Sequence, residues 1–260
     1  MDKFEYKKSF GQNFMRDENI INKIVDSAEI DKDTLIIEIG PGAGSLSKKI
    51  IPLSGYSILY EIDTRLESVL DKELSSNDNY KIIFNDFLKQ DVSLDIKEYK
   101  YKKVYVVANL PYYITTPIIT KLMDEIYPDK IIIMIQEEVA DRLSAKHGNR
   151  EYGMISVLLG ARYDIKKLFR VNRNCFYPVP NVDSAVISLN KNNKYNIKDM
   201  KKFERLIKDS FQYKRKNLRN NLKNYNLDVI NKILQENNYN LGNRAEEIPI
   251  YVYVEIANNL

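Results

Sequence analysis

One cysteine, one histidine and no tryptophan stand in 260 residues. A lone thiol, Cys175, cannot close an internal disulfide, and His147 alone cannot furnish a zinc cluster or a Cys/His catalytic pair. A metal is therefore not expected. Long apolar runs are missing too. No stretch approaches the roughly 20 residues that a membrane helix needs, and the first twenty residues lack the apolar centre of a signal peptide. A cytoplasmic monomer without a membrane partner is the expectation.

What is present suits a large buried core. Hydrophobic residues make up 44% of the chain, enough for one large domain and a smaller second one. The net charge of +4 is unevenly spread: 26 basic residues face 28 acidic ones up to residue 190, and 14 face 8 beyond it. A positive excess confined to the last part of the chain points to a polyanionic partner.

Over residues 1–190, short β-rich runs alternate with helical periodicity, the pattern of a doubly wound α/β sheet. The spacing predicts strands at Leu35–Gly40, Ser57–Ile62, Lys81–Asn85, Lys103–Ala108, Lys130–Gln136, Ile165–Val171 and Ser184–Leu189. The last two are too close for a crossover helix, which predicts an antiparallel hairpin at one sheet edge. Helices are expected at Asn19–Ala28 and Pro117–Ile126. The polar stretch KNNKYNIKD after Leu189 reads as a linker. Beyond it Phe203, Leu206, Ile207, Phe211, Leu218 and Leu222 keep helical spacing, so residues 191–260 are expected to form a small helical domain.

In LIIEIGPGAGSLSKKI, Gly40, Gly42 and Gly44 fall where the first strand turns into the first helix. Glycine permits a sharp turn and a close ligand, and a helix terminus favours polar or anionic groups. Such a turn serves NAD, FAD or S-adenosylmethionine. Glu61 ends the second strand, 21 positions after Gly40, where a carboxylate can accept hydrogen bonds from both ribose hydroxyls. The third glycine comes one residue too early for the dinucleotide fingerprint, which weakens the dehydrogenase alternative. Asp86, in FNDF, is placed either to accept from an adenine amine or merely to cap the next segment.

Asn109-Leu110-Pro111-Tyr112 follows the fourth predicted strand, at the edge where ligands of open α/β sheets bind. The N6 amine of adenine is a poor nucleophile because its lone pair is delocalised into the ring. The Asn109 carboxamide oxygen and the Leu110 carbonyl, held extended by Pro111, can accept its two N–H groups and free that pair. Positioning, rather than a base, then suffices. Tyr112 would stack on a flipped base. A bare Asn-x-Pro is an ordinary turn; its place downstream of a glycine turn and an acidic strand end is what gives it chemical meaning. In FYPVPNVDSAVISL, Phe176 either packs in the core or covers the other face of the base.

Together the blocks KSFGQNFMRDENII, EIGPGAGSLS, YEID, NDFL, NLPYYITTPI, QEEVADRL, FYPVPNVDSAVI, SFQYKRKNLRNNL and NRAEEI closely resemble the ribosomal RNA adenine dimethyltransferase family, in the small-subunit branch known through kasugamycin resistance. The resemblance covers nearly the whole chain. It implies a Rossmann-like class I S-adenosylmethionine methyltransferase with a mostly parallel seven-stranded sheet and a small C-terminal helical domain. It further implies that Gln12-Asn13-Phe14-Met15 lies over the cofactor, with Asn13 and Met15 in contact, and that Gly40, Gly42, Glu61, Asp86 and Asn109 complete that site. S-adenosylhomocysteine would be the product. The implied substrate is two adjacent adenines in a hairpin near the 3′ end of small-subunit RNA, each methylated twice within an immature 30S particle.

A basic helix bearing Arg205, Lys208, Lys214, Arg215, Lys216, Arg219 and Lys223 would dock on RNA phosphates; otherwise it is a solvated face. Met15 stands where leucine is usual in the family, and Tyr113 where asparagine is common. The alternatives are the sister branch that methylates large-subunit (23S) RNA and confers macrolide resistance, a mitochondrial transcription factor relative, and an assembly factor that acts mainly by binding.

Overall fold

The computed structural model describes residues 13–260. Nine strands occur among them: β1 (Phe14–Met15), β2 (Thr34–Ile39), β3 (Tyr56–Glu61), β4 (Tyr80–Phe84), β5 (Lys103–Asn109), β6 (Lys130–Gln136), β7 (Tyr163–Val171), β8 (Phe176–Tyr177) and β9 (Ser184–Lys191). β2 is buried at all six positions, as a strand covered on both faces must be.

Seven strands form one sheet in the order β4-β3-β2-β5-β6-β9-β7. The pairs from β4 to β6 are parallel, and β9 runs antiparallel to β6. The β7–β9 connection therefore does lie at one sheet edge. The direction of winding reverses between β2 and β5, so a crevice opens beyond their carboxyl ends, the place where open α/β sheets bind ligands. β1 and β8 pair antiparallel as a separate two-stranded sheet, Phe14 opposite Tyr177 and Met15 opposite Phe176.

The helix Glu18–Ala28 begins because Asp17 accepts from the amides of Asn19 and Ile20, and it buries Ile21, Ile24, Val25 and Ala28. Each buried aliphatic side chain contributes about 1.5–3 kcal/mol, whereas loss of the Asp17 cap would cost about 1 kcal/mol. The helix Thr115–Glu125 carries Pro117 in its first turn, where no intrahelical N–H bond is forfeited.

By its contacts the chain divides into two units. One runs to Glu137 and resumes at Lys166–Asn190; the other comprises Glu138–Ile165 and Lys191–Leu260. Residue 190 is thus one of three crossings, and the expected boundary omits the excursion through 138–165. In the second unit Phe203, Leu206, Ile230, Leu234, Val252 and Ile256 build an apolar core. The stretch expected as a linker is pinned to that unit, with the Asn192 amide donating to the Arg162 carbonyl at 2.9 Å.

One expectation for this region needs correction. The helix Met200–Ser210 stops before the basic cluster, and the next begins only at Leu218. Lys214, Arg215 and Lys216 lie on an exposed turn, not on a helix. The apolar spacing continues through 211–222, but side-chain amides interrupt it. Asn217 accepts from the Asn220 amide to cap the new helix, and Asn221 Nδ2 donates to the Ser210 carbonyl at 2.6 Å. Arg219 is exposed on that short helix. No helix among the described residues is long and apolar enough to cross a membrane.

Candidate active site

Beyond β2 the backbone enters the left-handed region three times, with φ of 73° at Gly40, 59° at Gly42 and 79° at Gly44. Each such residue costs an L side chain about 1–2 kcal/mol. Gly42 is also pressed from outside: a Cβ there would stand 2.9 Å from Cε1 of Phe14. The turn leaves its amides near the cavity, and Gly42 N–H donates to Glu61 Oε2 at 3.0 Å. The helix that follows, Ser47–Ile50, is a single turn, so the glycine backbone, not a helix terminus, supplies the polar lining expected here.

Glu61 is 4% exposed, and its other oxygen, Oε1, accepts from Asp63 N–H at 2.9 Å. Burial raises its pKa, against its backbone hydrogen bonds. A carboxylate has about four lone-pair sites, so two bonds to the backbone leave capacity for ligand hydroxyls.

Glu38 was not singled out by the sequence reasoning, although it lines the same cavity. It is 1% exposed, and neither its Oε2 nor the Ser47 hydroxyl has a hydrogen-bond partner. Burial pushes its carboxyl up to about 8, the nearby Ser47 hydroxyl opposing and the Glu61 charge reinforcing the rise. The available signal was an acidic residue among the aliphatic ones of the strand TLIIEI.

Asp86 also borders the cavity. Its Oδ1 accepts from Leu88 N–H at 3.0 Å, so the capping role is real, and Oδ2 remains for a ligand apart from Lys89 Nζ at 3.7 Å. Asn13 and Met15 line the same space; Gln12 lies outside the described residues.

Asn109 ends β5 on the opposite side of the crevice. Its Nδ2 donates to the Asn13 carbonyl at 3.1 Å, which orients the planar amide and leaves Oδ1 as its accepting end. Leu110 is fixed by its N–H to the Met134 carbonyl at 3.1 Å. Its own carbonyl serves no backbone or side-chain hydrogen bond among the described residues. Pro111, at φ −59° and ψ 129°, keeps the segment extended. The Tyr112 hydroxyl is 2.7 Å from Ser184 Oγ, and burial raises its pKa, so it stays a neutral phenol.

All the expected cofactor residues from Asn13 to Asn109, together with Leu110, Pro111 and Tyr112, therefore border one cavity. Phe176 does not. It is 2% exposed, packed in the core with Met15, Ile24 and Val186, so no face is open to a base and no sandwich with Tyr112 exists in this structure. Of the two packing options, the core position holds. Tyr177, its exposed neighbour, has the Arg16 guanidinium 4.1 Å from its ring centre.

Residues 3–260 match the profile of the family described as ribosomal RNA adenine dimethylase. The chain belongs to this family. A relative from Streptococcus thermophilus, named ribosomal RNA small subunit methyltransferase A, is 43% identical over 224 residues, 84% of this chain and 77% of its own. The protein of that name from Bacillus licheniformis is 40% identical over 268 residues, 99% of this chain and 92% of its own. Among solved structures, a dimethyladenosine transferase from Plasmodium falciparum superposes with a TM-score of 0.77 at 23% identity, covering 94% of this chain and 95% of that one. The 23S rRNA methyltransferase ErmE gives 0.77 at 23%, covering 95% and 99%. These two share the fold equally and do not separate the branches; the sequence relatives do.

Proposed function

We propose that the protein transfers methyl groups from S-adenosylmethionine to N6 of two adjacent adenines in small-subunit (16S) ribosomal RNA, giving N6,N6-dimethyladenosines during assembly of an immature 30S particle. What carries this reading is the pair of oxygens at the end of β5. The Asn109 amide is oriented by the Asn13 carbonyl, and Leu110, whose carbonyl is uncommitted, follows it on the lining of the cavity that the glycine turn borders.

The residues suit the cofactor. The Gly40–Gly42 turn borders the cavity, with open space where a Cβ at Gly40 would stand, Glu61 and Asp86 offer acceptors to hydroxyl and amine groups, and the orphaned Glu38 Oε2 suits a cationic group. When bound, S-adenosylmethionine supplies a methyl carbon activated by a cationic sulfur.

The chain's own residues then act by positioning. Asn109 Oδ1 and the Leu110 carbonyl hold the two N–H bonds of the amine, so that its lone pair stands clear of the ring. Tyr112, braced by Ser184, confines the base. The proton shed after transfer leaves a strongly acidic nitrogen, and no buried base is needed. After one methylation a single N–H remains, which either oxygen can hold. After two, neither oxygen has a donor, and the unmet polar groups weaken retention of the product.

The exposed turn of Lys214, Arg215 and Lys216, with Arg219 beside it, supplies phosphate contacts. Relatives named for the small subunit support that substrate over the large one.

The test is mass spectrometry of adenosines from purified immature small- and large-subunit particles, incubated with the protein and cofactor. Dimethyladenosine is expected in small-subunit RNA, and its absence there would overturn the assignment. Asn109→Ala is expected to lower kcat by about 10²–10³-fold, as loss of one preorganised polar group does elsewhere. An undiminished rate would remove the oxygen pair from the mechanism.

A further inference from the structure

Two consecutive tyrosines follow Pro111 on the 3-10 turn Tyr112–Ile114, and their circumstances differ. Tyr112 is braced through its hydroxyl to Ser184. Tyr113 lines the same cavity yet is 60% exposed. Its ring meets no aromatic partner and no cation among the described residues. Of the large apolar side chains bordering the cavity, only Ile62 is exposed as well, and it follows Glu61 at the cofactor end. Tyr113 is thus an unpartnered aromatic face at the end where the chemistry takes place.

We infer that Tyr113 is a specificity-determining residue that stacks on the nucleotide adjacent to the adenine held at Asn109, so that the enzyme selects an adenine with a purine neighbour. This rests on the RNA adenine reading above and adds a role to it. Withdrawing a base from its stack costs a few kcal/mol and strips its neighbour of a stacking face. An aromatic side chain replaces that face without needing a particular hydrogen-bond pattern. A purine offers more area to the ring than a pyrimidine does, which gives the preference its sign.

The test uses immature small-subunit particles with either both adenines or one of them replaced by uridine, and steady-state methylation by the unaltered protein, Tyr113→Ala and Tyr113→Phe. Cofactor binding by each variant is measured separately. On the two-adenine RNA, Tyr113→Ala is expected to raise the KM for RNA about tenfold or more, with a smaller change in kcat, and Tyr113→Phe to restore the KM. The uridine substitution is expected to raise KM for the unaltered protein but not further for Tyr113→Ala, since each change removes the same contact. An unchanged KM in Tyr113→Ala would overturn the inference, as would equal penalties from uridine in both proteins. If the unaltered protein makes no dimethyladenosine on either RNA, the functional reading itself fails, a result distinct from these.

Discussion

Glu38 carries a pH dependence whose sign can be worked out from its place in β2. Its carboxyl is ordinary, near 4.5, in the unfolded chain and about 8 in the folded protein. A proton is then lost more easily on unfolding, so stability from this group is full below pH 4.5 and declines as pH rises towards 8. The decline is about 1.4 kcal/mol per pH unit in that window. It amounts to about 3 kcal/mol at pH 7, or several degrees of melting temperature for a chain this long. Glu61, also raised, acts with the same sign. The lowered carboxyls Asp31, Asp91 and Asp183 act in the opposite sense, below their ordinary values, and do not overlap this window. Glu38→Gln keeps the shape and removes the ionisable group. Calorimetric melting between pH 5 and 8 should show a falling curve for the unaltered protein and a flatter, higher one for the variant. A cationic ligand in the cavity favours the carboxylate, so its binding should release a proton in that window, read by titration in buffers of different ionisation enthalpy. Glu38→Gln should lose that release. Identical pH profiles for the two proteins would refute the account of Glu38 as a buried, uncompensated acid.

Gly42→Ala should destabilise the protein in urea by at least the 1–2 kcal/mol expected of a left-handed residue, and should weaken cofactor binding, because the new methyl displaces Phe14. Gly148→Ala is the control, since Gly148 has a φ of 83° with nothing within 4 Å of the added carbon; an equal loss from both would mean that strain alone matters. Replacing Lys214, Arg215 and Lys216 together by alanine should flatten the slope of log affinity for RNA against log salt by about 2 to 3. An unaltered slope would take the turn out of the RNA contact.

Much of the site was legible because its residues occupy strand ends. Gly40–Gly44 and Asp86 come just after β2 and β4, Glu61 and Asn109 close β3 and β5, and each of those strands announces itself as a largely apolar run. Where period failed, so did legibility. β1 and β8 have two residues each, too few to show alternation. Their pairing, which buries Phe176 against Met15, could not be seen. Glu38 was hidden by the reverse effect, because the run around it fixed a strand so firmly that its single charge passed unremarked. In the second unit, helical spacing through residue 222 concealed a break that depends on the hydrogen bonds of Asn217 and Asn221, which no hydrophobic pattern records.

The short β1 segment supports the proposal that transfer at a strand end relies on positioning. Residues 13 to 15 reach two parts of the candidate site and the core beside it: the Asn13 carbonyl orients Asn109, the Phe14 ring presses on Gly42, and Met15 pairs with Phe176. The proposed acceptor for the amine and the proposed turn for the cofactor are thereby referred to one piece of backbone, itself anchored to β8 and so to the connection that precedes Ser184. Since Ser184 braces Tyr112, the ring proposed to confine the base is tied to the same frame. The three groups proposed to stand in register for transfer then cannot drift independently, which is what the proposed reliance on positioning requires.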